Sequence, residues 1–201
     1  MDPYQSADVQ AALQTFCATF YGDHRQRLLI LGINPGRFGG GITGISFTDP
    51  WALHNLCGIH TSITGQRELS SEFIYAMIDR YGGPPAFFQD CFLSAVLPFG
   101  LLRGKLNVNY YDDRALMSEL TPYILRTLRM QIHFGVRRDV AIVLGTGKNL
   151  DFLTRLNNEH ALFGRLVALD HPRFVMQYRR KRLDEHLDRY VDTIRTAITQ
   201  T

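Results

Sequence analysis

The chain has 201 residues, 45% of them hydrophobic and 20% charged, with a formal net charge of +3. That length and balance fit one domain over residues 1–201 with a full-sized core, and they exclude a disordered or fibrous chain. The small net charge does not by itself ask for a polyanionic partner, but its distribution does: five Arg or Lys and no acid lie between Arg173 and Arg182.

Residues 7–21 place Val9, Leu13, Phe16 and Phe20 at helical spacing. Residues 27–33 form a continuous apolar run, which predicts a strand buried on both faces. A glycine-rich loop follows from Asn34 to Phe47. Asp49 before Pro50 reads as a helix cap with proline at the first helical position. A helix is predicted over 70–81, stopped by Gly82-Gly83-Pro84-Pro85, then a second buried strand over 91–98. Residues 112–134 read as helix, with a break expected near Thr121-Pro122. Strands are predicted at 139–145 and 165–172, with a helix between them. A basic loop then leads to a last helix from Arg179 to about Thr199, with Leu183, Leu187, Tyr190, Val191 and Ile194 on one face.

Strands and helices alternate throughout. This predicts an α/β fold, a three-layer sandwich with a central, mostly parallel four-stranded sheet flanked by helices. In such folds ligands bind where loops leave the carboxyl ends of the strands, and each informative motif lies at such an exit.

At the first exit stands Gly32-Ile33-Asn34-Pro35-Gly36-Arg37-Phe38-Gly39-Gly40-Gly41. The glycines allow sharp turns or close approach to a ligand, yet the spacing is neither G-x-G-x-x-G nor a Walker A loop. Asn34 is the better marker, an amide at the mouth of an apolar strand; the plain alternative is an amide that satisfies turn backbone. At the second exit Ser94 and Ala95 compete, because side chains alternate along a strand. At the third, Gly145-Thr146-Gly147-Lys148 opens a helix, either as a phosphate cradle or as simple helix entry. The fourth is Asp170-His171-Pro172-Arg173, followed by Gln177, Tyr178, Arg179, Arg180, Lys181 and Arg182. A histidine at a strand exit beside basic and aromatic residues suits a nucleic-acid site. A solvated first helical turn is the plain alternative.

Cys17, Cys57 and Cys91 are odd in number and lack metal-ligand or cluster spacing, which argues for a reducing, intracellular setting. The N-terminus has no basic region followed by an apolar run, so no secretory signal is expected, and no apolar stretch is long enough to span a bilayer.

The first motif, Gly32-Ile33-Asn34-Pro35-Gly36 through Phe38-Gly39 and on to Thr43-Gly44-Ile45-Ser46-Phe47, resembles that of the single-strand-selective monofunctional uracil-DNA glycosylases, within the uracil-DNA glycosylase superfamily. The spacing from Asn34 to Phe47 matches without a gap. His171-Pro172 resembles the start of the second motif, and Gly145-Thr146-Gly147-Lys148 resembles a Gly-x-Gly-basic segment that precedes the last strand. The resemblance covers about residues 27–180. Arg37 stands where that family usually has proline, Arg173–Arg179 replaces a Ser-Pro-rich continuation, and the asparagine that reads the uracil edge has no clear counterpart. These departures point to a divergent, bacterial-type subgroup.

The resemblance implies a monofunctional enzyme that flips uracil, or a related deaminated or 5-substituted base, out of DNA and hydrolyses its N-glycosidic bond without metal or cofactor. Asn34 would position the water and His171 would donate a hydrogen bond to the departing base. Phe47 would stack on the base. Gly32, Ile33 and Phe38 would contribute to the base pocket, Gly36 would leave space beside C5, and Ser94 is the candidate for the base's polar edge. Arg37, Gly147, Lys148, Arg173, Tyr178, Arg179, Arg180 and Lys181 would face DNA, with Tyr178 or Arg173 as the wedge. DNA, single- or double-stranded, is the expected partner; the expected state is a monomer in the bacterial cytoplasm, at the nucleoid. Two other classes compete. A nucleotide-binding transferase would need an acidic ribose ligand about 20 residues past the glycine loop, and Leu53–Leu56 and the segment after them offer none. The other is a non-catalytic DNA-binding module of the same fold.

Overall fold

The computed structural model describes residues 1–200. In chain order it holds α1 (Ala7–Phe20), β1 (Arg27–Gly32), a single turn α2 (Gly40–Thr43), α3 (Pro50–Asn55), α4 (Leu69–Tyr81), α5 (Pro84–Asp90) and β2 (Cys91–Ala95). It continues with β3 (Leu101–Arg103), β4 (Leu106–Val108), α6 (Arg114–His133), β5 (Val136–Leu144), α7 (Lys148–His160), β6 (Arg165–Leu169), α8 (Pro172–Tyr178) and α9 (Leu183–Thr199).

Four strands form one parallel sheet in the order β2-β1-β5-β6. All six residues of β1 are buried, because it has a neighbour on each side and helices on each face. Alternation along the strand divides its side chains between two cores. Leu28 and Ile30 join residues of α1, α4, α5 and α9, such as Phe16, Phe73, Phe87 and Ile194. Leu29 and Leu31 join Ile124 and Leu128 of α6 and Phe152 and Leu156 of α7. Each such fully buried aliphatic side chain contributes about 1.5–3 kcal/mol, so both helix layers are held by the same strand. The result is the three-layer α/β sandwich that the alternating elements predict.

The strand ends are in register: Gly32 lies beside Ala95, and Leu144 beside Leu169. All four exits therefore open on one edge of the sheet. Among the described residues, no helix is long and apolar enough to cross a membrane.

Four local features differ from the sequence expectation. A hairpin, β3–β4, follows β2; it turns at Gly104, whose φ of 61° is left-handed. Its strands are three residues long and mostly exposed, so they carry no periodic signal. Helix α6 runs unbroken through Pro122, and the Thr121 hydroxyl donates to the Met117 carbonyl at 2.7 Å in the affected turn. The basic segment is not a loop: Pro172 starts α8, and Arg180–Arg182 form a 3-10 turn. The last helix accordingly begins at Leu183 rather than Arg179.

Candidate active site

The exits of β1, β2 and β6 enclose a cavity of about 150 Å³, a size that holds a benzene-like ring. Its wall includes Ile33, Asn34, Gly36, Phe47, Ala95 and His171, and also Glu68, Asn107 and Asn109. The two sequence motifs, 137 positions apart from Asn34 to His171, thus meet at one site.

Asn34 is held from two directions. Its Nδ2 donates to the Val108 carbonyl at 3.1 Å, and its Oδ1 accepts the Tyr110 N–H at 3.2 Å. One N–H and one lone pair of the amide remain for a ligand. Tyr110 is fully buried, and its hydroxyl donates to Asn149 Oδ1 at 2.7 Å; Asn149 Nδ2 in turn donates to the Leu144 carbonyl at 3.1 Å. Tyr110 is thus held at both ends, its N–H on Asn34 and its hydroxyl on Asn149, and ties Asn34 to the end of β5.

Phe47 has φ of 56°, a left-handed conformation that costs a non-glycine residue of order 1–3 kcal/mol and collects at functional sites. Its ring lies against the backbone of Gly32, where any Cβ would overlap it. This is why glycine ends β1. The ring centroid stands 6.0 Å from that of His171, at an interplanar angle of 42°.

His171 caps α8. Its Nδ1 accepts the Arg173 N–H at 3.2 Å. Burial, with the Arg173 guanidinium adding to it, lowers its pKa to about 4. The ring is therefore neutral at physiological pH, and because Nδ1 is the acceptor, Nε2 carries the proton. His171 offers the cavity a neutral N–H donor.

Glu68 precedes α4 and brings the cavity a carboxyl that no sequence motif singles out. Its backbone N–H donates to Asp49 Oδ2 at 2.9 Å, while Asp49 Oδ1 caps α3 through the Ala52 N–H at 2.8 Å. Burial raises its pKa, Arg173 opposes that rise and Asp49 adds to it, with the result at about 7. Asn107 and Asn109 come from the β4 region, which is likewise invisible in the sequence pattern. The side-chain amide of Asn109 has no hydrogen-bond partner among the described residues.

The structure places some expected residues elsewhere. Ala95, not Ser94, lines the cavity, because the register of β2 on β1 turns Ala95 to the side of the Gly32 exit. The candidates for the polar edge are therefore Asn107, Asn109 and Glu68 instead of Ser94. Phe38 is not part of the wall; the Arg37 guanidinium covers its ring at 4.5 Å. Arg37 is itself fastened to the hairpin, donating through Nη1 to the Lys105 carbonyl and through its backbone N–H to Asn107 Oδ1 at 3.2 Å. It pins the hairpin over the loop instead of projecting freely.

The basic segment divides in two. Arg180 pairs with Glu72 at 3.2 Å and Arg182 with Glu185 at 2.5 Å. Arg173, Arg179 and Lys181 have no ion pair among the described residues, and Arg179 lies 5.6 Å from the centre of the Phe174 ring. The Phe174 and Tyr178 rings pack against each other on the outer face of α8, with centroids 5.4 Å apart and planes tilted by 45°, and Tyr178 is 68% exposed. Gly147 and Lys148 are exposed where α7 begins, at the same edge of the sheet.

A model of the uracil DNA glycosylase superfamily matches residues 19–195. The chain is similar to the crystal structure of wild-type SMUG2 of Pedobacter heparinus, with 38% identity and a TM-score of 0.94, over 98% of this chain and 87% of that one. A search of curated proteins found no match. A family match over most of the chain, a shared fold and motifs that converge on one cavity lead to one conclusion: the chain belongs to the uracil DNA glycosylase superfamily.

Proposed function

We propose that this protein is a monofunctional DNA glycosylase that excises uracil, or a deaminated or 5-substituted relative, by hydrolysing the N-glycosidic bond. The observation that carries the reading is the meeting on one ring-sized cavity of a doubly anchored Asn34 and a neutral His171 whose acceptor nitrogen is already engaged, leaving its N–H as the donor. Breaking the bond leaves positive charge on the sugar and negative charge on the base. Dipoles set in advance where that charge appears are the largest catalytic term in such sites. His171 Nε2–H stabilises the oxygen of the departing base, and the free lone pair of Asn34 Oδ1 orients the water that attacks C1′. Phe47 stacks on the flipped base.

Flipping costs a few kcal/mol of lost stacking. The exposed Phe174–Tyr178 pair on α8 supplies a wedge to offset that cost, and Arg173, Arg179 and Lys181 supply phosphate contacts. The protein acts as a monomer on chromosomal DNA in the bacterial cytoplasm. The direct test is to incubate the protein with an oligonucleotide carrying one uracil and to identify the released product by mass spectrometry. Free uracil with an alkali-labile strand supports the reading. Retarded but intact DNA would assign a binding module instead.

A further inference from the structure

Glu68 is the one carboxylic acid in the cavity wall among the described residues. Its position is built, because the buried Asp49 holds its backbone N–H while capping α3. Its carboxyl is laid across the first-motif loop, and a Cβ on Gly36 or Gly39 would occupy the space of its two oxygens. Those glycines therefore keep room for the acid. Neither carboxyl oxygen accepts a hydrogen bond from a described residue. The carboxyl therefore lines the cavity with its hydrogen-bonding capacity unused by the described residues, free to engage water or a molecule that enters.

We propose that Glu68 is a specificity-determining residue, whose carboxyl hydrogen-bonds to the ring edge of the base held in the cavity, on the side that Gly36 and Gly39 leave open. This rests on the glycosylase reading. The resemblance puts Gly36 beside C5 of the base, and a carboxyl lying against Gly36 therefore addresses the base. When protonated, a carboxyl both donates and accepts; when ionised, it only accepts. The protonated acid suits a ring carbonyl. The carboxylate repels that carbonyl and suits a hydroxyl, amino or ring N–H donor. The groups facing it are Arg173 from α8, which favours ionisation, and Asp49 at the start of α3, which with burial opposes it and brings the pKa to about 7. Arg67 is drawn away from it, toward Asp49 at 3.3 Å and the Trp51 ring at 3.8 Å. His171 stays neutral through this range. Base preference should therefore change with pH around neutrality.

The test compares single-turnover cleavage of uracil and of 5-hydroxymethyluracil, which adds a hydroxyl donor, in the same duplex at pH 6 and pH 8.5. The wild-type rate ratio should shift toward the hydroxymethyl base by about tenfold, the scale of one hydrogen bond made or unmade. Glu68→Gln, whose amide does not titrate, should hold a constant ratio, and thermal melting establishes that the variant is folded. A constant wild-type ratio overturns the proposal, as does an unchanged shift in Glu68→Gln. A loss in that variant equal on both bases and at both pH values also overturns it, by placing Glu68 in the common machinery. Cleavage of neither base by the wild type overturns the glycosylase reading itself, and this proposal with it.

Discussion

Nδ1 of His171 accepts the backbone N–H of Arg173 at 3.2 Å, and that bond decides which ring nitrogen carries the proton. Helix capping and the orientation of a catalytic donor are thus served by one contact. A purely structural cap and a catalytic donor still differ in what their loss does. Removing the imidazole as His171→Ala should lower single-turnover cleavage by about 2–4 kcal/mol, the range for one such donor, while DNA affinity changes little. The loss should shrink for bases that leave more readily. Because the pKa sits near 4, the His171-dependent part of the rate should show no titration at the ordinary histidine value of about 6.5. Equal impairment on every base together with a lowered melting temperature would reduce His171 to a cap.

Asn34 is bonded on both sides of its amide, which sharpens what its replacement should do. Asn34→Ala should lower cleavage by about a hundredfold or more, as expected for loss of a positioned catalytic group. From the sequence alone, Asn34→Asp is expected to keep or raise activity, since a carboxylate is a true base. The structure reverses that expectation. Aspartate would set a carboxylate oxygen against the Val108 carbonyl, where Nδ2 now donates. Asn34→Asp should therefore be less stable and less active than the wild type, and rate and melting measurements on the purified variant check both.

Glu68 should limit stability above neutrality. Its folded pKa of about 7 lies above the ordinary value of 4.5. The folded state thus holds a proton that the unfolded state has lost, and stability falls as pH rises between those values. Glu68→Gln removes that loss. It should melt higher than the wild type at pH 8, by an amount reflecting up to about 3 kcal/mol, and about equally at pH 4.5. His171 has the opposite sign. Its depressed pKa withdraws stability as pH falls from about 6.5 toward 4, so His171→Asn should flatten the acid side of the stability profile. Melting curves across pH 4–9 separate the two contributions.

The ion pairs divide the basic segment into active and committed charges. Neutralising Arg179 and Lys181 together should weaken binding to every DNA sequence. It should also flatten the log–log salt dependence on duplex DNA by about 0.9 for each phosphate no longer neutralised. Neutralising Arg180 and Arg182 should change the slope less, because Glu72 and Glu185 already engage them. Equal slopes from the two pairs would remove the distinction.

The layered fold was legible because β1, β2, β6 and the last five residues of β5 are largely apolar runs separated by helical patterns, and β1 and the end of β5 are buried on both faces. Asn34, Phe47 and His171 were legible because they lie in motifs at strand exits. Ser94 and Ala95 could not be separated from sequence, since alternation allows either, and only the register that sets Gly32 beside Ala95 decides. Glu68 carried no local signal: it is an isolated acid before a helix, brought to the cavity by Asp49, 19 positions earlier. The hairpin with Asn107 was hidden by strands too short for periodicity. Arg37 looked available for DNA because its hydrogen-bond partners, the Lys105 carbonyl and Asn107 Oδ1, appear only once that hairpin folds back.

The most direct test of the central claim is single-turnover cleavage of a duplex with one uracil by the wild type and by an Asn34→Ala/His171→Ala double variant, with DNA binding measured in parallel. The expected result is an alkali-labile break at the uracil with the wild type, and bound but uncleaved DNA with the double variant. Intact DNA after incubation with the wild type, or undiminished cleavage by the double variant, would contradict the assignment of base excision to this cavity.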